Sequence, residues 1–142
     1  MFENYILTGK VVHIFWNFPL PPSMHPQAQL AAEAAECAGL QGQFWAMHDR
    51  IFLNQQAWSG NENALKVFQG FASDLGLDTG AFASCLAEHQ TAAKISNEAA
   101  YAQQIGVSST PTFLVNGQGL LGAYPYAQFQ QLIDAALAES QP

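Results

Sequence analysis

An α/β protein built on a small sheet is what this sequence predicts, and three observations predict it. Two short runs rich in β-branched and aromatic residues, Lys10–Trp16 (KVVHIFW) and Thr112–Val115 (TFLV), read as buried strands. Between them, from about His25 to about Gly106, the apolar residues recur at helical spacing. After the second run an Asn116-Gly117 step favours a tight hairpin, leading to a short strand around Gly119–Gly122 and a closing helix over Pro125–Ala138. Helices that interrupt strands in this way must lie against the sheet to bury their apolar faces.

Each element has a local reason. Asn4–Gly9 reads as the last turn of a helix with Gly9 as its left-handed cap, and the Pro-rich stretch Asn17–Pro22 ends the first strand. In the helical block Pro26 suits a first turn, and Leu30, Ala34, Cys37 and Ala38 share one face. Phe44, Met47, His48, Ile51 and Phe52 form a second stripe, and Leu65, Phe68 and Ala72 a third. Phe82, Cys85 and Leu86 share a fourth face, and Ala92–Ile105 is a long final helix of the block. Breaks fall at Gly42, near Ser59-Gly60-Asn61, at Gly76 and after Cys85. The expected organisation is one domain, 1–142, with a helical block, 25–105, inserted into it.

Composition narrows the function classes. With 142 residues the chain is long enough to bury a core without a metal or cofactor. Its four basic residues, Lys10, Arg50, Lys66 and Lys94, are scattered singly against eleven acidic ones, a formal charge of −7, which argues against a nucleic-acid-tracking surface. No apolar run approaches a membrane span, and residues 1–10 lack the features of a signal peptide. His13, His25, His48 and His89 have no metal-ligand spacing with the two cysteines, so neither metal nor cofactor is expected. His48, on the stripe with Phe44 and Ile51, reads as a packed histidine, and Trp16, Trp45 and Trp58 as core or rim packing.

The Thr110–Pro111 step stands at the mouth of a strand, where a residue without an N–H is tolerated. Local evidence favours an ordinary trans bond there, because only about 5–6% of X–Pro bonds in folded proteins are cis.

The order of elements, together with FPLP (18–21), HPQAQLAAEAAECAGLQGQFWAMHD (25–49), LGLDTGAFASCL (75–86) and GVSSTPTFLVNG (106–117), resembles the DsbA-like branch of the thioredoxin superfamily over nearly the whole chain. The resemblance implies a thioredoxin-like fold with a helical insertion and a thiol:disulfide oxidoreductase ancestry. It also implies a cis Thr110–Pro111 bond, with the Thr110 backbone pairing to an extended or unfolded peptide by edge-strand addition. Relatives of this kind carry a C-x-x-C at the start of their first helix, where the helix dipole activates a thiolate. This sequence has no C-x-x-C, so no catalytic residue is assigned and the chain as given is expected to be redox-incompetent.

The likeness begins at the tail of the family's first helix. The expectation is therefore that the first strand, the cysteine pair and most of that helix, roughly 25–35 residues for a strand-turn-helix unit, have no counterpart here. The sequence does not separate a shortened gene from a fragment, and it leaves the native compartment open, the family being mostly extracytoplasmic. Without that strand, sheet edges would stand unpaired, which leaves three outcomes open: the two halves close directly on each other, the fold loosens, or, as is favoured here, a homo-oligomer covers the edges. The resemblance also points to a Cys37–Cys85 disulfide, the alternative being two buried free thiols. Two further functions are carried: a non-catalytic peptide-binding module using the Thr110–Pro111 edge, and a relative of glutathione-dependent isomerases and transferases.

Overall fold

A computed structural model describes residues 1–139, the side chain of residue 2 excepted. The chain divides into two compact units, one made of Met1–Phe15 and the chain from Ala102 on, the other of Trp16–Tyr101.

The second unit is helical. It contains α1 (Ala28–Gly39), α2 (Phe44–Leu53), the single turn α3 (Gln55–Trp58), α4 (Ala64–Asp74), α5 (Thr79–Ala87) and most of α6 (Ala92–Gln104). Helix α1 packs against α2, α4 and α5. Four of its seven buried positions, Ala31, Ala34, Ala35 and Ala38, are alanine, which lets neighbouring backbones approach closely. Met47, Phe68 and Phe82 fill the centre with no exposed surface, and Trp58 closes one side, its indole N–H donating to the Ile51 carbonyl at 2.8 Å. Truncating a residue such as Phe68 to alanine costs about 3–5 kcal/mol by lost transfer energy and the cavity left behind.

The helix stripes expected from the sequence fall inward with two exceptions. Leu65 is 42% exposed and Phe52 62% exposed, while Val67 and Phe71 pack on the core in their place. Both exceptions sit one position beyond the stripe's inward arc, where helical spacing drifts away from the core. The turn from α4 to α5 is set by Gly76 at φ +70° and by Asp78, whose carboxylate accepts from the Ala81 N–H at 2.9 Å as an N-cap.

The first unit holds a π-helical turn (Phe2–Ile6), the strands β1 (Thr112–Val115) and β2 (Gln118–Leu121), and α7 (Tyr126–Glu139). The strands pair antiparallel, Thr112 opposite Leu121 and Val115 opposite Gln118. They are joined by Asn116 and Gly117 at φ +47° and +87°, the positive-φ pair that a type I′ hairpin turn requires. Phe113 meets Phe129 of α7 edge to face at 4.7 Å, and Leu120 and Ile133 are buried on this face. Tyr5 is buried too, its hydroxyl donating to Asp134 Oδ1 at 2.6 Å.

One expected strand is absent. Lys10–Trp16 makes no ladder, and Val12 and Ile14 are 82% and 69% exposed. Strand propensity needs a partner to become a strand, and among the described residues the only ladder is β1 with β2.

Candidate functional site

The register of the hairpin decides where the free backbone groups of β1 point. A two-residue turn makes Val115–Gln118 a hydrogen-bonded pair, and in an antiparallel ladder such pairs alternate with non-bonded ones. Phe113 opposite Leu120 is therefore the next bonded pair, and the Gly122 N–H donating to the Pro111 carbonyl at 2.8 Å continues the series. By the same alternation Thr112 and Leu114 turn their N–H and C=O groups to the outer edge of β1. That edge is unpaired among the described residues.

The Thr110–Pro111 step heads this edge, and its peptide bond is cis. Both residues are exposed. The Thr112 hydroxyl donates to the Ser109 carbonyl at 2.7 Å, which ties the entry loop to the strand. One sheet face is covered through Phe113 and Leu120; on the other, Leu114 and Leu121 are 55% and 60% exposed. Residues 105–133, which include the whole hairpin, contain no Asp, Glu, Lys or Arg. The site is an uncharged, apolar strand edge with outward backbone donors and acceptors.

The two cysteines lie in the other unit. Cys37 of α1 and Cys85 of α5 are joined in a disulfide with a Cα–Cα distance of 5.9 Å, and both are buried. No free cysteine remains. Two buried sulfurs bonded to each other offer no thiolate for exchange chemistry. Among the described residues no group of three or more His, Cys, Asp or Glu side chains is placed to hold a metal ion. His48 is half-buried between the rings of Phe44, Trp45 and Phe52, with Nδ1 2.9 Å from Asp49 Oδ1.

A buried polar cluster in the helical unit escaped the sequence reading. Asn17, 2% exposed, donates through Nδ2 to Glu36 Oε1 at 2.6 Å and to Glu98 Oε2 at 2.8 Å, and its backbone N–H donates to the same Glu98 oxygen. The Lys94 ammonium closes the ring, 2.5 Å from Glu36 and 2.6 Å from Glu98. Burial pushes the Glu98 carboxyl up, but the donors of Lys94 and Asn17 outweigh it and hold the group below the usual carboxylate value. Burial likewise pulls Lys94 down, and its hydrogen bonds to Glu36 and Glu98 more than reverse this. The cluster clamps the stretch around Asn17 to α1 and α6. The available signal was Glu33 and Glu36 three apart in the alanine-rich stretch AAEAAECA, where no acid belongs unless it is paired.

The sequence pattern of the thioredoxin family matches residues 1–135. This chain belongs to that family, and its α/β architecture is the thioredoxin-like fold. It is 37% identical over 129 residues to a protein of Salinispora arenicola (strain CNS-205) named Na(+)/H(+) antiporter NhaA 1, a match covering 91% of this chain and 19% of that protein. It is 35% identical over 132 residues to Na(+)/H(+) antiporter NhaA 3 of Salinispora tropica, covering 93% and 19%. With Na(+)/H(+) antiporter NhaA of Herminiimonas arsenicoxydans it shares 33% identity over 112 residues, covering 79% and 17%. The chain thus spans about a fifth of the length of these relatives. No solved structure gives a significant match. None of the described helices is long and apolar enough to cross a membrane.

Proposed function

We propose that this chain is a DsbA-like member of the protein-disulfide oxidoreductase family whose own contribution is to hold an extended peptide along the outer edge of β1, beside Thr110–Pro111. The observation that carries this reading is the hairpin register, which turns the backbone groups of Thr112 and Leu114 outward on an uncharged, apolar edge. Membership of the thioredoxin family over residues 1–135 supports the oxidoreductase ancestry. Cys37 and Cys85, buried and bonded to each other, form a bridge within the helical unit and offer no thiolate of their own beside this edge. A second copy of the chain is a competing occupant of the same backbone groups.

The test is an NMR titration of the isotopically labelled chain with an unfolded, uncharged peptide of alternating apolar residues, alongside an insulin-reduction assay. Amide shifts centred on Thr110, Thr112 and Leu114 are expected, with no turnover, and N-methylating the peptide backbone is expected to abolish them. Shifts confined elsewhere, or catalytic turnover, would overturn the proposal. Shifts at this edge with glutathione and none with peptide would favour the glutathione-dependent reading instead.

A further inference from the structure

The sequence holds one Asn-Gly step, Asn116–Gly117, and the fold sets it at the tip of the hairpin. Both residues are exposed, and both have positive φ, +47° and +87°. A Cβ built on Gly117 would meet nothing within 4 Å, so the approach to this residue is open. The strands it joins have four residues each, and so short a two-stranded ladder opens locally at little cost. Every other asparagine precedes a residue with a side chain. Among them Asn17, Asn54 and Asn61 also have their amides engaged as hydrogen-bond donors.

We infer that Asn116 is a site of self-modification, where the main-chain nitrogen of Gly117 attacks the Asn116 side-chain amide and water completes its conversion to aspartate or isoaspartate. The Gly117 nitrogen gives up its proton and bonds to Cγ. The Cγ–Nδ2 bond breaks, and Nδ2 leaves as ammonia, taking that proton. One water then opens the five-membered imide. Addition at Cγ gives aspartate, whereas addition at the main-chain carbonyl carbon gives isoaspartate, whose backbone runs through the side-chain carbons. Nothing is oxidised or reduced, and water is the sole co-reactant. The attack needs Asn116 to rotate out of its left-handed conformation, so the closed turn slows it and each opening of the hairpin permits it.

Isoaspartate lengthens the backbone of a two-residue turn by one carbon. The φ pair that a type I′ turn requires is then lost, and Val115 and Gln118 no longer close as a bonded pair. That pair sets the register that turns Thr112 and Leu114 outward. Either product also places a carboxylate within residues 105–133, which otherwise carry no Asp, Glu, Lys or Arg. The reaction is therefore a slow, one-way switch on the β1 edge. The site stands on the turn alone, and the loss of peptide holding rests on the function proposed above.

Ageing the whole chain at mildly alkaline pH in water enriched in heavy oxygen tests this, with mass spectrometry of its digest locating the label. A carboxyl methyltransferase specific for isoaspartate, supplied with S-adenosylmethionine, reads the second product. Label at position 116 is expected to exceed that at every other asparagine severalfold and to rise with pH, because attack needs the Gly117 proton to leave. Asn116→Gly keeps residues that suit a type I′ turn but has no side-chain amide, and is expected to take up no label there. Hydrogen exchange on the aged chain is expected to show the Phe113, Val115, Gln118 and Leu120 amides unprotected. Freshly prepared Asn116→Asp, which adds the charge without the extra carbon, is expected to keep them protected. Labelling at position 116 no faster than elsewhere would overturn the site, and an aged, isoaspartate-bearing chain with its ladder intact would overturn the switch. An aged chain that has lost the ladder yet still holds the peptide supports the switch and overturns the peptide edge instead.

Discussion

Asn17 is the residue on which most of the buried polar chemistry turns. Its side-chain amide serves two carboxylates at once, so Asn17→Ala leaves Glu36 and Glu98 short of donors in a largely buried place. We expect it to cost about 1–3 kcal/mol, the penalty for under-satisfied buried polar groups. Asn17→Asp should cost more, because it sets a third carboxylate against Glu36 and Glu98 with only the Lys94 ammonium to balance them. Urea denaturation at neutral pH is expected to rank wild type above Asn17→Ala above Asn17→Asp, with the gap between the variants narrowing as the carboxylates protonate. The sign for the wild type follows from Glu98. Its pKa is lowered on folding, so its stabilisation is present above the unfolded-state carboxylate pKa and is lost as pH falls through the folded-state value. Lys94, raised on folding, contributes below its unfolded pKa and loses that contribution only as pH rises through the raised value. The cluster therefore stabilises across the neutral range, and an Asn17→Asp variant that matched wild type at pH 7 would remove this account.

At the scale of elements, the disulfide and the hairpin do different work. Cys37 and Cys85 tie α1 to α5 across a sequence separation of 48, a loop whose closure removes about 4 kcal/mol of unfolded-state entropy in the chain-entropy model. Both half-cystines lie in a core already filled by Met47, Phe68 and Phe82, so Cys37→Ala with Cys85→Ala is expected to leave the helices in place. The denaturation midpoint should fall by an amount equivalent to about 2–4 kcal/mol. Circular dichroism and urea titration read both effects, and an unchanged midpoint would assign the bridge no stabilising role. The hairpin, by contrast, was legible residue by residue. Asn116-Gly117 fixed the turn type, the turn type fixed which pairs are bonded, and that placed Thr112 and Leu114 on the outer edge. The disulfide partners and the Thr110–Pro111 conformation came from resemblance, since nothing in the local sequence joins α1 to α5 or prefers cis to trans.

For the whole molecule, net charge sets the terms of association. At −7 per chain, a charged ligand meets long-range forces that salt screens, the Debye length falling from about 10 Å at 0.1 M to about 3 Å at 1 M. Binding of an uncharged peptide along the outer edge of β1 should change little as sodium chloride is raised across that range, and a titration at both ends of it checks this.

The sequence by itself determined the main helices of the inserted block, their breaks at glycine and the hairpin, because each depends on contacts a few residues apart or on composition. Tertiary structure alone decided the rest. Lys10–Trp16 has the residues of a strand but finds no ladder, since pairing needs a neighbour that propensity cannot supply. Asn17, Glu36, Lys94 and Glu98 look like separate surface residues until the fold brings segments 81 positions apart within hydrogen-bond reach. A charge becomes tolerable in a buried place only when its partner arrives there, and that arrival is a property of the packed chain.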